Sequence, residues 1–489
     1  MEIKGNDISA YSRKSESMLH STRLIRTALA GTKAIRLEGY EFLPKYSAET
    51  ETDYKSRLKR AVFTNYLSLT VKHLVGKTFA KPLVLQEDVP PQIVEWAEDI
   101  DLQGTHLNDF ASRLFAEVLS IGFTSVLVDY PKLEGITSLA DERERGGRPY
   151  FRMVNQEDLL GVRSGALGTR VQQARIREVV EEPDGLYGEK MLSRVRLLFP
   201  GGYELYQQLE KENSKGQKEY VLIDAGKMNP LQTVPLIPIY GYKVESWRGE
   251  PVLLDLLYKN IQYFQVDSDL DNALRVASFP MLAVSGWDQD RDPTITVGPN
   301  VVLATENPSG RFYYVEHSGT AIGVGRQRLE DLKADMATMG LQMMMPRASG
   351  DATATETQVK YAESTSDLQR MAFGLKDALE NSLQSMAEWV GLKSGGSIEL
   401  RGQFTLPRDA VTEVQALISL RATREITSAT LLNELKRRDF LPDDFDVEGE
   451  RELLAIEDEP FMGGDNFDTK KPTDETEEKE ETPTENKKE

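Results

Sequence analysis

The stretch AIGVGRQRLEDLKADMATMGLQMMMPRASGDATATE, residues 321–356, carries the reading on which the fold turns. Its apolar residues Ile322, Leu329, Leu332, Met336, Met339 and Met343 recur at heptad spacing, which predicts a helix over 321–345 with one narrow apolar seam. Such a seam packs along a single neighbouring helix, in the same chain or in an adjacent copy; the spacing does not distinguish them. Proline cannot extend the hydrogen-bond ladder, so the helix stops at Met345-Pro346. Pro346, Arg347, Ala348, Ser349, Gly350 and Asp351 then form a short loop without an apolar run. Thr353 and Glu356 have capping-box spacing and announce another helix. There Val359, Leu368, Met371, Leu375, Leu379, Leu383, Met386 and Val390 keep the helical period until Gly391, where a left-handed stop is available. Unbroken, these roughly 37 residues would make a rod of about 55 Å.

Working outward, residues 250–278 carry Leu254, Leu257, Ile261 and Phe264 on one helical stripe, continued at a shifted angle by Leu270, Ala273 and Leu274. Between this helix and the heptad helix, residues 280–319 hold short β-like runs separated by Asp, Pro, Gly and Asn turns. Farther back, Thr50 to Val75 places Tyr54, Leu58, Val62, Tyr66 and Leu69 at helical spacing, with Gly76 as the expected end. A helix over 107–120, a break at Gly122 and a strand from Phe123 to Tyr130 follow. From Arg148 to Gly241 the period changes to that of a small antiparallel β region. After the long helix, 397–404 reads as a strand and 408–420 and 428–438 as helices. The expected fold is α+β, mainly α, with long helices and small β regions. From near Gly463 the chain lacks the apolar residues that would offset the entropy of ordering, so an acidic disordered tail is expected.

Composition narrows the chemistry. The 489 residues include 59 basic and 79 acidic side chains, for a net charge of −20, and no cysteine. That balance disfavours tight duplex binding, which rests on cations releasing counterions from phosphates. Disulfides, thiolate metal sites and thiol nucleophiles are excluded. The opening residues have no signal-like apolar core and no span is long enough to cross a bilayer, so cytoplasmic synthesis and no membrane are expected. The four histidines, His20, His73, His106 and His317, stand singly, without metal or triad spacing. Gly76-Lys77-Thr78 lacks the upstream glycine of a phosphate loop, and Asp288, Asp290 and Asp292 meet Pro293 where a calcium loop needs glycine. Asp267, Asp269 and Asp271 cannot share one helix face and read as surface or interface groups. Gly323 and Gly325 are explained by flexibility at a helix start. No catalytic residue, metal site or cofactor is indicated, which moves weight from an enzyme to an assembly component.

The order of these pieces resembles the portal proteins of tailed bacteriophages. Phe123-Thr-Ser-Val-Leu-Val-Asp-Tyr-Pro131, Arg148-Pro-Tyr-Phe151, the prolines at 235 and 238, Val297-Gly-Pro-Asn300 and Ala354-Thr-Glu-Thr357 are similar in wording, and the likeness covers about residues 40–460. The resemblance implies a homo-oligomeric ring, usually a dodecamer, at one capsid vertex of the virion, assembled in the host cytoplasm. Double-stranded DNA would be packaged and ejected through it. It also implies docking to the terminase large subunit, to major capsid and scaffold proteins and later to a head–tail connector, with no activity of its own. Carried onto this chain, residues 1–249 would form the wing, 250–278 and 321–345 the stem helices and 279–320 the clip. Residues 346–353 would be the tunnel loop, 354–407 the long wing helix and strand, 408–460 the crown and 461–489 the acidic tail. Arg347 is the main candidate for transient, non-specific DNA contact, with Arg326, Arg328 and Lys333 on the stem; surface solvation or subunit salt bridges would equally occupy them. The stem packing residues would be the heptad set from Ile322 to Met343, and Met343, Met344 and Met345 would suit a mobile element or plain core filling. The alternatives are another phage head–tail adaptor or structural protein, usually far smaller, and an enzyme whose site escapes motif reading.

Overall fold

The computed structural model describes residues 7–132, 146–165, 171–209, 219–228, 231, 233–278, 281–285, 309–315, 320–342, 366–402, 404, 410–437, 440–442 and 445–457. Numbered in chain order, the helices are α1 (Arg13–Leu29), α2 (Thr32–Glu38), α3 (Glu51–Arg60), α4 (Tyr66–Thr78), α5 (Pro91–Trp96), α6 (Leu107–Ile121), α7 (Leu254–Ala277), α8 (Thr320–Gln342), α9 (Asp367–Trp389), α10 (Ala410–Ala422), α11 (Ser428–Arg437) and α12 (Val447–Glu457). The strands are β1 (Val84–Leu85), β2 (Phe123–Asp129), β3 (Tyr150–Asn155), β4 (Leu159–Ser164), β5 (Val171–Asp184), β6 (Gly188–Phe199), β7 (Gly202–Gln208), β8 (Tyr220–Lys227), β9 (Leu236–Tyr240), β10 (Tyr242–Glu245), β11 (Arg248–Glu250), β12 (Met281–Ser285), β13 (Arg311–Val315) and β14 (Ile398–Glu399). The chain divides into residues 1–406 and residues 407–489. The class is α+β.

In the first unit the core is built on both faces of β2, all of whose residues are buried. Strand alternation sends Val126 and Val128 into a helical core with Phe110, Leu114, Leu379 and Leu383. It sends Phe123 and Leu127 into a second core with Ile176, Leu198, Leu236 and Trp247. β2 pairs antiparallel with β3 and β9, and β4 to β8 form a five-stranded sheet in chain order. An ionic cluster ties the two sheets together. Glu178 on β5 accepts hydrogen bonds from Arg196 on β6 at 2.6 Å and from Arg152 on β3 at 2.7 Å, and Arg196 also donates to Asp129 on β2 at 3.0 Å.

Three expectations need correcting. The single helix expected over 50–75 is two, α3 and α4, separated by residues 61–65, and Gly76 lies inside α4. A continuous helix would have turned Val62 inward; instead Val62 is exposed and Phe63 is buried, edge-on to Phe264 with ring centroids 5.6 Å apart. Asn65 restarts the chain as the cap of α4, accepting from the Ser68 amide at 2.9 Å. The long helix is shorter than expected. Ser366 has extended backbone angles and caps α9 by accepting from the Gln369 amide, so α9 spans 23 residues, about 35 Å, and ends before Gly391 at φ 74°. Thr353 and Glu356 lie outside the described residues. Among the described residues of the strand expected over 397–404, β14 alone is regular, paired with β1.

The second unit holds α10, α11 and α12; α12 was not expected. The Asp446 carboxylate accepts from the Glu448 amide at its start, a cap hidden among acidic residues.

Candidate functional site

Helices α7 and α8, joined through the antiparallel pair β12–β13, are where sequence reasoning concentrated its candidates. The root of α7 is held by apolar burial, since Leu256, Leu257, Ile261 and Phe264 lie in the helical core. Asn260 sits on that same stripe with no exposed surface. Its Oδ1 accepts from the Leu67 amide at 3.1 Å and its Nδ2 donates to the Thr64 carbonyl at 2.9 Å. Leu67 is in the first turn of α4, where amides have no helical partner, so Asn260 satisfies a backbone group that the fold would otherwise bury unpaired. Sequence reasoning missed this residue; the signal was a polar side chain between Leu257 and Phe264 on an apolar stripe. Asn260→Leu strands the Leu67 amide, whereas the Thr64 carbonyl keeps the Tyr66 amide at 3.0 Å, and a loss of about 1–3 kcal/mol is expected from the one unsatisfied donor. Urea unfolding checks this, and a midpoint equal to that of the parent protein would refute the clamp.

Farther along α7 the three aspartates separate. Asp269 lies 3.7 Å from the Arg57 guanidinium, which is buried and also pairs with Glu49 at 2.8 Å. Burial, and then the Asp269 carboxylate, push the Tyr46 phenol up to about 12. Burial, and then Asp271, raise the Asp267 carboxyl above its ordinary value. Leu270 turns toward α8, where a Cβ on Gly325 would come within 3.0 Å of its Cδ1. Gly325 therefore permits close approach inside α8, a different role from flexibility at a helix start. A Cβ on Gly340 would likewise come 3.2 Å from Thr70 of α4.

Along α8, Leu332 and Met336 are buried, and Ile322, Leu329 and Met339 are partly buried. Met336 belongs to the helical core and Met339 packs against it, so this part of the seam packs within its own chain. Among the described residues one ion pair crosses between the two helices, Lys259 to Asp335 at 3.0 Å. Both side chains are partly exposed and the pair contributes little. Arg326, Arg328 and Lys333 are on the exposed side of α8 with Glu330 and Asp331, and among the described residues these three cations make no ion pair. The outer face is thus a mixture of charges with free basic groups. Met343 and the loop residues Pro346, Arg347, Ala348, Ser349, Gly350 and Asp351 lie outside the described residues.

Among the described residues no group of three or more His, Asp or Glu is placed to hold a metal ion. No described helix is long and apolar enough to cross a membrane.

Residues 252–390, from the start of α7 to the end of α9, match the model of a family described as a domain of unknown function (DUF4055). No curated protein matches the chain. Among solved structures, a chain of the "Neck of native GTA particle computed with C12 symmetry" is similar at TM-score 0.42 and 12% identity, over 82% of this chain and 98% of that one. A chain of the "Neck of empty GTA particle computed with C6 symmetry" gives 0.40 and 13%, over 84% and 99%. A chain of the "Virion of native gene transfer agent (GTA) particle" gives 0.37 and 13%, over 86% and 98%.

Proposed function

We propose that this chain is a portal-type subunit of a phage-like particle, one wedge of a ring at the capsid vertex through which double-stranded DNA passes. The observation that carries the reading is α8: one stripe of it is packed on its own chain, while the opposite side is exposed with basic and acidic groups interspersed. A wall that guides a moving duplex must touch phosphates without retaining them. Isolated cations among carboxylates provide contact with little counterion release, whereas a continuous basic face would hold the DNA. In this reading α7 and α8 are the stem, β12 and β13 belong to the clip that meets the terminase large subunit and then a head–tail connector, and residues 346–353 are the tunnel loop. Major capsid and scaffold proteins would surround residues 1–249, residues 408–460 would form the crown, and the subunit would act without catalysis or cofactor.

Negative-stain images of the purified protein are expected to contain rings with a central hole, twelvefold in the particle. Monomers throughout, under conditions that favour assembly, would overturn the reading. Deleting 346–351 is expected to leave rings intact while impairing packaging or retention of DNA in a particle assay. Wild-type packaging and retention by that deletion would remove the loop from the proposal.

A further inference from the structure

The long hairpin of β5 and β6 outgrows its sheet. β4 pairs with β5 only up to Ile176, and β7 pairs with β6 only from Arg194 onward. Among the described residues, beyond these points the two strands pair only with each other, through Asp184↔Gly188. A two-stranded ribbon is marginally stable in water and leaves both edges open, so an arm of this kind requires a surface to dock on. At its tip Leu186 is 90% exposed and Tyr187 is 99% exposed. A side chain that exposed touches nothing in its own chain. Around the tip the sequence EEPDGLYGEK, residues 181–190, holds four acids and one base. Among the described residues Glu181, Asp184 and Glu189 make no ion pair; Glu182 pairs with Arg194.

A cleft elsewhere in the same unit has the opposite character. It has a volume of about 480 Å³ and is lined by Tyr240, Tyr242, Lys243, Arg370, Met371 and Gly374, among others. Lys243 lies 5.1 Å from the Tyr240 ring centroid and Arg370 lies 5.6 Å from that of Tyr242. Arg370 also pairs with Asp367 at 3.0 Å, and Asp367 accepts from the Tyr242 hydroxyl at 3.0 Å. Asp367 is mostly buried, whereas Lys243 is exposed and makes no ion pair among the described residues. The accessible charge of the cleft is therefore positive.

We infer that the Leu186-Tyr187 tip of one copy docks in the Tyr240–Lys243–Arg370 cleft of the next. The occupant is a second copy because charge and shape complement each other within one chain: an acidic knob with an aromatic end and a cationic, aromatic-lined recess. Tyr187 would give a cation a ring face while Asp184 and Glu189 meet Lys243 and Arg370. The contact is heterologous, knob to cleft, the kind that generates a ring when its rotation closes. This rests on the ring reading above. A buried tyrosine contributes about 150–250 Å² and a stable interface needs about 800 Å² per partner, so the tip is the anchor of a larger face.

The chain has no cysteine, so a pair of introduced thiols reports on this contact alone. The protein with both Leu186→Cys and Gly374→Cys, which keeps Tyr187, Lys243 and Arg370 and places the second thiol at an open position of the cleft, is expected on mild oxidation to give a ladder of species larger than dimer on a non-reducing gel. Proteins with either substitution alone should give nothing beyond dimer. Absence of the ladder overturns the docking: if rings still form in stained images, the ring reading survives without it, and if they do not, both fall. Leu186→Ser with Tyr187→Ser, at positions too exposed to affect folding, is expected to weaken self-association at least tenfold. Unchanged association would also overturn the inference. Lys243→Glu should weaken association similarly, and adding Asp184→Lys and Glu189→Lys should restore it; no recovery would exclude the charge pairing.

Discussion

Gly122→Ala is expected to destabilise the protein by about 3–5 kcal/mol, enough to remove most of the soluble product of a typical domain. Two effects add. Gly122 ends α6 at φ +85°, where a side chain costs about 1–2 kcal/mol. The added Cβ would stand 2.2 Å from the Glu250 carbonyl carbon and 2.4 Å from the Pro251 nitrogen. These are backbone atoms and cannot rotate away. Gly104 is the control, because its φ is +81° and nothing lies within 4 Å of its Cβ position, so Gly104→Ala bears the conformational term alone. Urea midpoints of the two variants separate the effects; equal midpoints would show that the close approach is not rigid. The functional weight of the position lies in its neighbours. Gly122 accepts from the Gly241 amide at 2.8 Å and abuts the segment that leads into α7, so it helps fix where that helix leaves the body.

Glu178→Ala is expected to cost about 2–4 kcal/mol, the penalty of leaving partly buried cations short of a buried counter-charge, reduced by their partial exposure. Only 4% of the Glu178 side chain is exposed, against 18% for Arg196 and 34% for Arg152. Burial opposes the Arg196 charge, but Asp129 and Glu178 outweigh it and hold the guanidinium pKa above its ordinary value. Tyr150, which donates to Asp129 at 3.2 Å, is pushed up to about 12, chiefly by burial and then by the Asp129 carboxylate. Without Glu178, Asp129 is left to serve Arg196 alone and Arg152 loses its partner. Glu178→Gln retains the shape and removes the charge, so a smaller loss in Gln than in Ala would assign part of the effect to packing. A midpoint unchanged in both would show that the network adds no stability.

Much of the local structure was legible because burial imposes a period. β2 was read from the strand-like stretch Phe123–Tyr130 between Gly122 and Pro131, and in the structure both its faces are covered. On α8 the exposure pattern follows the heptad residues as far as Met339. Failures came where a single side chain outvotes the period. Phe63 is drawn under Phe264 and breaks a helix that spacing alone would continue, and Ser366 caps α9 well after the capping box at Thr353. Asn260 was invisible to pattern reading, since its importance depends on amide and carbonyl groups almost two hundred residues away in the chain. The overhang of the β5–β6 hairpin depends on where β4 and β7 stop pairing, which no periodicity records. The loop at 346–351, read from the sequence, lies outside the described residues.

The uneven burial of α7 has a mechanical consequence. Its first half is fixed by Leu257, Asn260, Ile261 and Phe264, whereas beyond Leu270 its described side chains are only partly buried or exposed. Such a helix is a cantilever, stiff where it is clamped and compliant toward its free end. A displacement of β12 and β13 would be taken up as elastic deflection of α7 and α8 and would diminish toward the clamped root of α7.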